Sequence, residues 1–219
     1  MLTRDGYRRY YDDFYATTDF RHYSERVDRA LLAALFDRGG VRAGSRVLDL
    51  GCGTGVQLAR MRALGMRAVG IDLSMVAVRR TTGITDATIA VQGDALHLPL
   101  ADESVDAVVA IGCSLMNADD DARVDQLFAE SLRVVRTGGC VVATTCSDFS
   151  GHEKGGWTQR TRHALEERLR QLPGGRRALH YGLPGLARFH RALPLHPLTD
   201  ALLRLPFAIA RTAVYIVWK

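Results

Sequence analysis

A short apolar run, Val47-Leu48-Asp49-Leu50, passes without a break into Gly51-Cys52-Gly53-Thr54-Gly55, and helix-forming sequence follows from Gln57. Arg46 to Leu50 has the length and two-faced apolarity of a strand buried in a parallel sheet. Three alternating glycines permit a sharp turn at positive φ and leave main-chain N–H groups open to a ligand. A plain strand-to-helix turn needs one glycine, so the spacing points to a binding loop. A buried strand feeding a helix through such a loop restricts the chain to α/β architectures.

The same alternation continues downstream. Helices are expected over Gln57 to Leu64, Ser74 to Arg80 and Asp121 to Val135, and strands over Ala68 to Asp72, Thr88 to Gln92, Val105 to Ile111 and Cys140 to Thr145. Strands separated by helices imply a parallel sheet with right-handed crossovers and helices on both faces, and ligands bind at its strand carboxyl ends. Ahead of this core, Tyr7 to Phe36 carries apolar residues at helical spacing and ends near Gly39-Gly40. After it, Thr158 to Leu172 reads as a basic helix, Pro173 to Pro197 as a loop-rich region, and Leu198 to Leu205 as a short helix. Ala208 to Trp218 reads as a final strand.

At 219 residues, 47% hydrophobic and 24% charged, the chain is long enough for one core. Met1 to Tyr15 is polar and aromatic rather than an export leader, and Arg204, Pro206 and Arg211 interrupt the most apolar late segment, so a cytoplasmic protein with no membrane span is expected. Cys52, Cys113, Cys140 and Cys146 show no metal-ligand spacing, so no metal is expected. Between Lys154 and Arg191 nine basic residues face two acids, read as a solvated helical face.

Asp49 with Gly51, Gly53 and Gly55 closely resembles the first motif of class I S-adenosylmethionine-dependent methyltransferases, an acid followed by GxGxG. Val69-Gly70-Ile71-Asp72-Leu73-Ser74 resembles that family's second strand with its terminal acid, and Gln92-Gly93-Asp94-Ala95 resembles its third motif. Asp102 to Val109 and Glu130 to Gly139 match its turn into the fourth strand and its approach to the fifth. Together the segments span about Arg46 to Thr145. Thr137 departs from the family's usual proline, and no clear sixth strand is legible.

The resemblance implies a Rossmann-like α/β fold with a mostly parallel, six- or seven-stranded sheet, helices on both faces and an N-terminal helical lid. It implies S-adenosylmethionine as cofactor, leaving as S-adenosylhomocysteine. Asp72 then takes the ribose hydroxyls and Asp94 the adenine amino group, with Leu73, Ala95 and Ile111 beside them. The N-terminal helix carries Tyr7, Tyr10, Tyr11, Phe14 and Tyr15; of these Tyr10 and Tyr15 are the expected cofactor contacts, through the attraction of aromatic faces for a sulfonium. Cys113, Ser114 and Asn117 are expected to bind the methyl acceptor, and His152 is the candidate general base.

The expected layout is one methyltransferase domain over 1–219: a lid over 1–40, a cofactor-binding core over 41–150, a substrate-side region over 151–207 and a final strand over 208–219. The expected reaction is in-line methyl transfer to a small-molecule acceptor, with oxygen preferred and nitrogen or carbon admitted, by a monomer or homodimer. Three alternatives stand beside it. Val56, where dinucleotide-binding loops carry a third glycine, and the lack of a YxxxK pair weigh against a nicotinamide oxidoreductase. Gly112-Cys113-Ser114-Leu115, in place of an Asn/Asp-Pro-Pro-aromatic motif, weighs against a nucleic-acid methyltransferase. A protein that binds the cofactor without transferring its methyl group is the third.

Overall fold

The computed structural model describes residues 3–17, 36–81, 89–117, 120–146, 153–154, 157–158, 162–182 and 212–219. Its first helix, α1 (Arg4–Thr17), precedes the sheet. There follow β1 (Arg46–Leu50), α2 (Val56–Ala63), β2 (Arg67–Asp72), α3 (Met75–Thr81), β3 (Ile89–Gln92) and β4 (Val105–Ala110). A 3-10 turn, Ser114–Asn117, leads to α4 (Asp121–Val134), which runs directly into β5 (Val135–Cys146). Two short strands, β6 (Glu153–Lys154) and β7 (Trp157–Thr158), pair with each other before α5 (Arg162–Gln171), β8 (Arg177–Gly182) and β9 (Thr212–Trp218).

Seven strands form the main sheet in the order β3-β2-β1-β4-β5-β9-β8. The first five are parallel, while β9 inserts antiparallel between β5 and β8. Strand order reverses beside β1, since β2 and β4 flank it, so the loops after β1 and β4 open a crevice at the strands' carboxyl ends.

Both sheet faces are covered, which is why the central strands read as continuous apolar runs. Leu48 and Leu50 of β1 face the layer of α4 and α5, packing in one cluster with Leu127, Phe128, Leu165 and Tyr215. Val47 faces the other way, with Phe36, Leu58, Met61 and Ile216. The α4 amino terminus is capped by Asp120, whose carboxylate accepts from Arg123 N at 3.2 Å.

The sheet departs from the sequence expectation in its second half. Arg177–Gly182 lies in the segment expected to be loop-rich, yet pairs with β9 from Arg177 opposite Val217 to Gly182 opposite Thr212. The sheet therefore has seven strands, the larger of the two expected numbers. The basic helix begins at Arg162 rather than Thr158, because Trp157 and Thr158 pair with Glu153 and Lys154. Strand β5 begins at Val135, with a register shift between Val105 and Ala107 where it meets β4. Gly139 is required there, since a Cβ on it would stand 2.4 Å from the Asp106 carbonyl oxygen. The expected helix over Leu198 to Leu205 lies outside the described residues.

Phe128 is fully buried and meets the Tyr215 ring edge-on at 6.3 Å, joining α4 to β9. Phe128→Ala is expected to cost about 3–5 kcal/mol, read as a lower urea midpoint at unchanged slope. A loss below about 1 kcal/mol would show that this layer is not packed as described.

Candidate functional site

Strand β1 delivers Asp49 to the sheet's carboxyl end, and the glycine loop then turns the chain into α2. Gly53 and Gly55 take φ of 53° and 81°, a region costly for any side chain. Space forbids one as well: a Cβ on Gly55 would stand 2.5 Å from Thr81 Cγ2, and one on Gly53 would stand 2.8 Å from the Tyr15 hydroxyl.

Asp72, at the end of β2, holds this loop. One carboxylate oxygen accepts from Gly53 N and the other from Ser74 N, both at 2.8 Å. The Thr81 hydroxyl donates to Gly53 O at 2.7 Å, so both backbone polar groups of Gly53 are engaged. Asp72 is buried, and burial raises its carboxyl above the usual range despite the amide hydrogen bonds that oppose it.

Asp49 is 1% exposed, and neither carboxylate oxygen has a hydrogen-bond partner among the described residues. Burial, reinforced by the charge of Asp72, pushes its carboxyl well above the ordinary range. Two unsatisfied buried acceptors are costly unless a ligand supplies donors.

Helix α1 lies over the crevice. The Ser74 hydroxyl donates to Asp12 Oδ1 at 2.6 Å, and Arg4 Nε stands 2.9 Å from Asp94 Oδ2. Asp94 Oδ1 accepts from Leu96 N at 2.9 Å. Between helix and sheet lies a cavity of about 330 Å³. Its floor includes Gly51, Asp72, Leu73, Asp94 and Ala95, and α1 contributes Arg4, Tyr7, Tyr10, Tyr11, Phe14 and Tyr15. The segment after β4 adds Cys113, Ser114 and Leu115, and α4 adds Arg123. Burial raises the Tyr11 and Tyr15 phenols above their ordinary range and pushes the Cys113 thiol up to about 12, so all three are protonated at neutral pH.

Nine of the residues singled out from sequence thus line one cavity: Gly51, Asp72, Leu73, Asp94, Ala95, Tyr10, Tyr15, Cys113 and Ser114. Asp49, Gly53 and Gly55 are not among the residues that line it. Two expectations are corrected. Ile111 is buried in the apolar cluster on the α2 side of the sheet. Asn117, at the end of the 3-10 turn, is 1% exposed and accepts from the Thr145 hydroxyl at 3.0 Å, so it braces the turn against β5. His152 lies outside the described residues.

Sequence reasoning missed Arg4 and Arg123 and favoured Tyr10, which is 54% exposed, over Tyr7 and Tyr11. For α1 the signal was present: Arg4, Tyr7, Tyr11 and Phe14 recur at spacings of three and four, one helical face. Arg123 carries no such signal, since only the packing of α4 brings it to the cavity.

Comparison with known proteins agrees with this geometry. Residues 48–143 match the family model described as a methyltransferase domain. Among curated relatives, the demethylmenaquinone methyltransferase of Thermobifida fusca is 40% identical over 105 residues, covering 46% of this chain and 43% of that protein. The malonyl-[acyl-carrier protein] O-methyltransferase of Yersinia pestis is 33% identical over 128 residues, covering 57% and 46%. The chain spans about half the length of the curated relatives it matches. In fold, it resembles the putative methyltransferase solved in complex with the Haloferax volcanii Trm112 methyltransferase activator, with a TM-score of 0.63 at 22% identity over 94% of this chain and 96% of that one.

The residues present fit the cofactor this family uses. Asp72 and Asp94 offer acceptors for ribose hydroxyls and an adenine amine, the aromatic face of α1 suits a sulfonium, and the unpartnered Asp49 carboxylate beneath the glycine loop favours a cation above it. Residues 48–143 accordingly match the methyltransferase-domain family model, and the seven-stranded sheet built around them has the fold of that putative methyltransferase.

Proposed function

We propose that the chain transfers a methyl group from S-adenosylmethionine to a small-molecule acceptor, at an oxygen that loses its proton without help from a strong base. The observation that supports the cofactor reading most directly is Asp49, sealed beneath the glycine loop with both oxygens unpartnered. A small acceptor suits the cavity, because its volume of about 330 Å³ must serve cofactor and acceptor together.

When bound, the cofactor supplies an electrophilic methyl carbon on a positively charged sulfur. The protein's part is alignment, since holding the acceptor in line with that carbon removes much of the entropic barrier. Gly51 and the segment from Cys113 to Leu115 flank the cavity between sheet and α1, and the rings of Tyr7, Tyr10, Tyr11 and Phe14 exclude water over it. The rings also present electron-rich faces toward developing or vanishing cationic charge.

The lining supports a self-ionising acceptor. Among the described residues that line the cavity, Asp94 is paired with Arg4 and Asp72 with two backbone amides. The thiol and phenols there are held protonated by burial. A carboxylic acid is ionised at neutral pH, and a phenol or enol gives up its proton far more readily than an alkyl alcohol, so these acceptors need no strong base whereas an alkyl alcohol does.

Calorimetry with S-adenosylmethionine tests the cofactor reading. Wild-type protein is expected to bind it in preference to NADH, and Asp72→Ala to weaken binding at least tenfold, about 1.4 kcal/mol. No binding, or preference for NADH, overturns it. With radiolabelled methyl donor, phenols and carboxylic acids are expected to accept label faster than alkyl alcohols of similar size; the opposite order would refute the self-ionising acceptor.

Asp49 yields a prediction of pH dependence. Its raised carboxyl favours the neutral form in the free protein, and a cationic ammonium favours the carboxylate, so binding releases a proton. Affinity then rises as pH rises through the raised Asp49 pKa. Titration in buffers of different ionisation enthalpy checks this: proton release is expected for wild type and not for Asp49→Asn, and equal release by both would contradict the assignment.

A further inference from the structure

Two guanidinium groups line the cavity, and they are placed differently. Arg4 is engaged by Asp94 at 2.9 Å. Arg123, in the first turn of α4, is held only along one edge: its Nε stands 3.3 Å from Asp120 Oδ2, and Asp120 itself is fixed by capping the helix. The guanidinium carbon lies 5.7 Å from the centroid of the Tyr7 ring, another cavity residue. Among the described residues no hydrogen bond engages Nη1 or Nη2 of Arg123, although its side chain is only 25% exposed.

Arg133 and Arg168, by contrast, have acceptors at their Nη nitrogens. Arg133 donates through Nη1 to Leu100 O and Asp102 and through Nη2 to Leu98 O and Glu130. Arg168, 5% exposed, donates through Nη2 to Asp121 O and Asp125 Oδ1. The Nη nitrogens of Arg123, a residue that lines the cavity, are thus available to an acceptor that arrives with a ligand. The planar fork matches a carboxylate best, taking both oxygens through parallel N–H bonds, and the ring beside it restricts its plane.

Resting on the small-molecule methyl-transfer reading above, we propose that Arg123 is the residue that selects the acceptor, by receiving a carboxylate that the acceptor carries. Asp120 holds the Nε edge, Tyr7 sets the plane, and the Nη edge takes the two oxygens. Tyr11 and Ser114, whose side chains hydrogen-bond to each other, line the same cavity. The acceptor class is therefore a compact, flat acid, a hydroxyaryl or unsaturated carboxylic acid, rather than a neutral alcohol or amine.

The test uses full-length protein saturated with S-adenosylhomocysteine and titrated calorimetrically with matched probes: salicylate and salicylamide, 4-hydroxybenzoate and 4-hydroxybenzamide, 4-hydroxycinnamate and its amide, and phenyl phosphate. At least one carboxylate is expected to bind roughly tenfold or more tighter than its amide, the scale of a charge-assisted pair. Arg123→Gln is expected to abolish that preference while leaving S-adenosylhomocysteine affinity within about twofold, less than 0.5 kcal/mol on the tenfold scale, which also shows that the variant folds. The proposal is overturned if no carboxylate in the panel outbinds its amide, if the preference survives in Arg123→Gln, or if phenyl phosphate outbinds every carboxylate. Failure of wild-type protein to bind S-adenosylhomocysteine at all would instead strike the cofactor reading, and is seen before any probe is added.

Discussion

Asp72 ties the glycine loop to the sheet, and most of the site's geometry descends from that tie. One carboxylate accepts from Gly53 N, which belongs to the loop after β1, and from Ser74 N, which begins the turn into α3. Two neighbouring strands are thereby joined at their carboxyl ends, where parallel ladders alone leave loops unsupported. Thr81, at the far end of α3, closes the arrangement by donating to Gly53 O. The glycines are consequences of this closeness, because Thr81 and Tyr15 occupy the space that side chains would need.

The same closeness sets the electrostatics. Asp49 and Asp72 are both buried, and the charge of Asp72 adds to the burial that raises Asp49, yet only Asp72 has backbone donors to offset its burial. The site therefore holds one satisfied acid and one unsatisfied acid on neighbouring strands, and Arg4, drawn to Asp94, ties the sheet to the helix above. Helix α1 is anchored at the two ends of the crevice by polar contacts and rests on its middle with aromatic rings.

How much of this the sequence discloses depends on how local each feature is. Strands β1 to β5 and their helices are legible because apolar runs, glycine turns and helical spacing are all written within a few residues of one another. The floor residues Gly51, Asp72 and Asp94 share that advantage, since each follows a strand directly. Strand β8 does not: Arg177–Gly182 lies between Gly174-Gly175 and Pro184, and its pairing partner begins at Thr212, so turn-forming neighbours mask a pairing that only tertiary structure supplies. Asn117 fails differently. A polar residue after a strand reads as ligand-facing, but the 3-10 turn carries it inward to Thr145. Arg123 is invisible for the opposite reason, because an arginine early in an amphipathic helix reads as solvated until the helix is packed against a cavity.

The place of β9 has a consequence for synthesis. Its residues lie between β5 and β8 in the sheet but after both in the chain. As the chain emerges at roughly 5–20 residues per second, β5 spends several seconds with its outer edge unpaired. That edge carries Val141, Val142 and Ala143, all fully buried once β9 docks. A nascent chain at this stage presents a long, apolar, hydrogen-bonding edge, the kind that recruits foreign strands. Ribosomal pausing just before Thr212 would lengthen that exposure, making the rate of elongation across the preceding segment a determinant of yield for this protein.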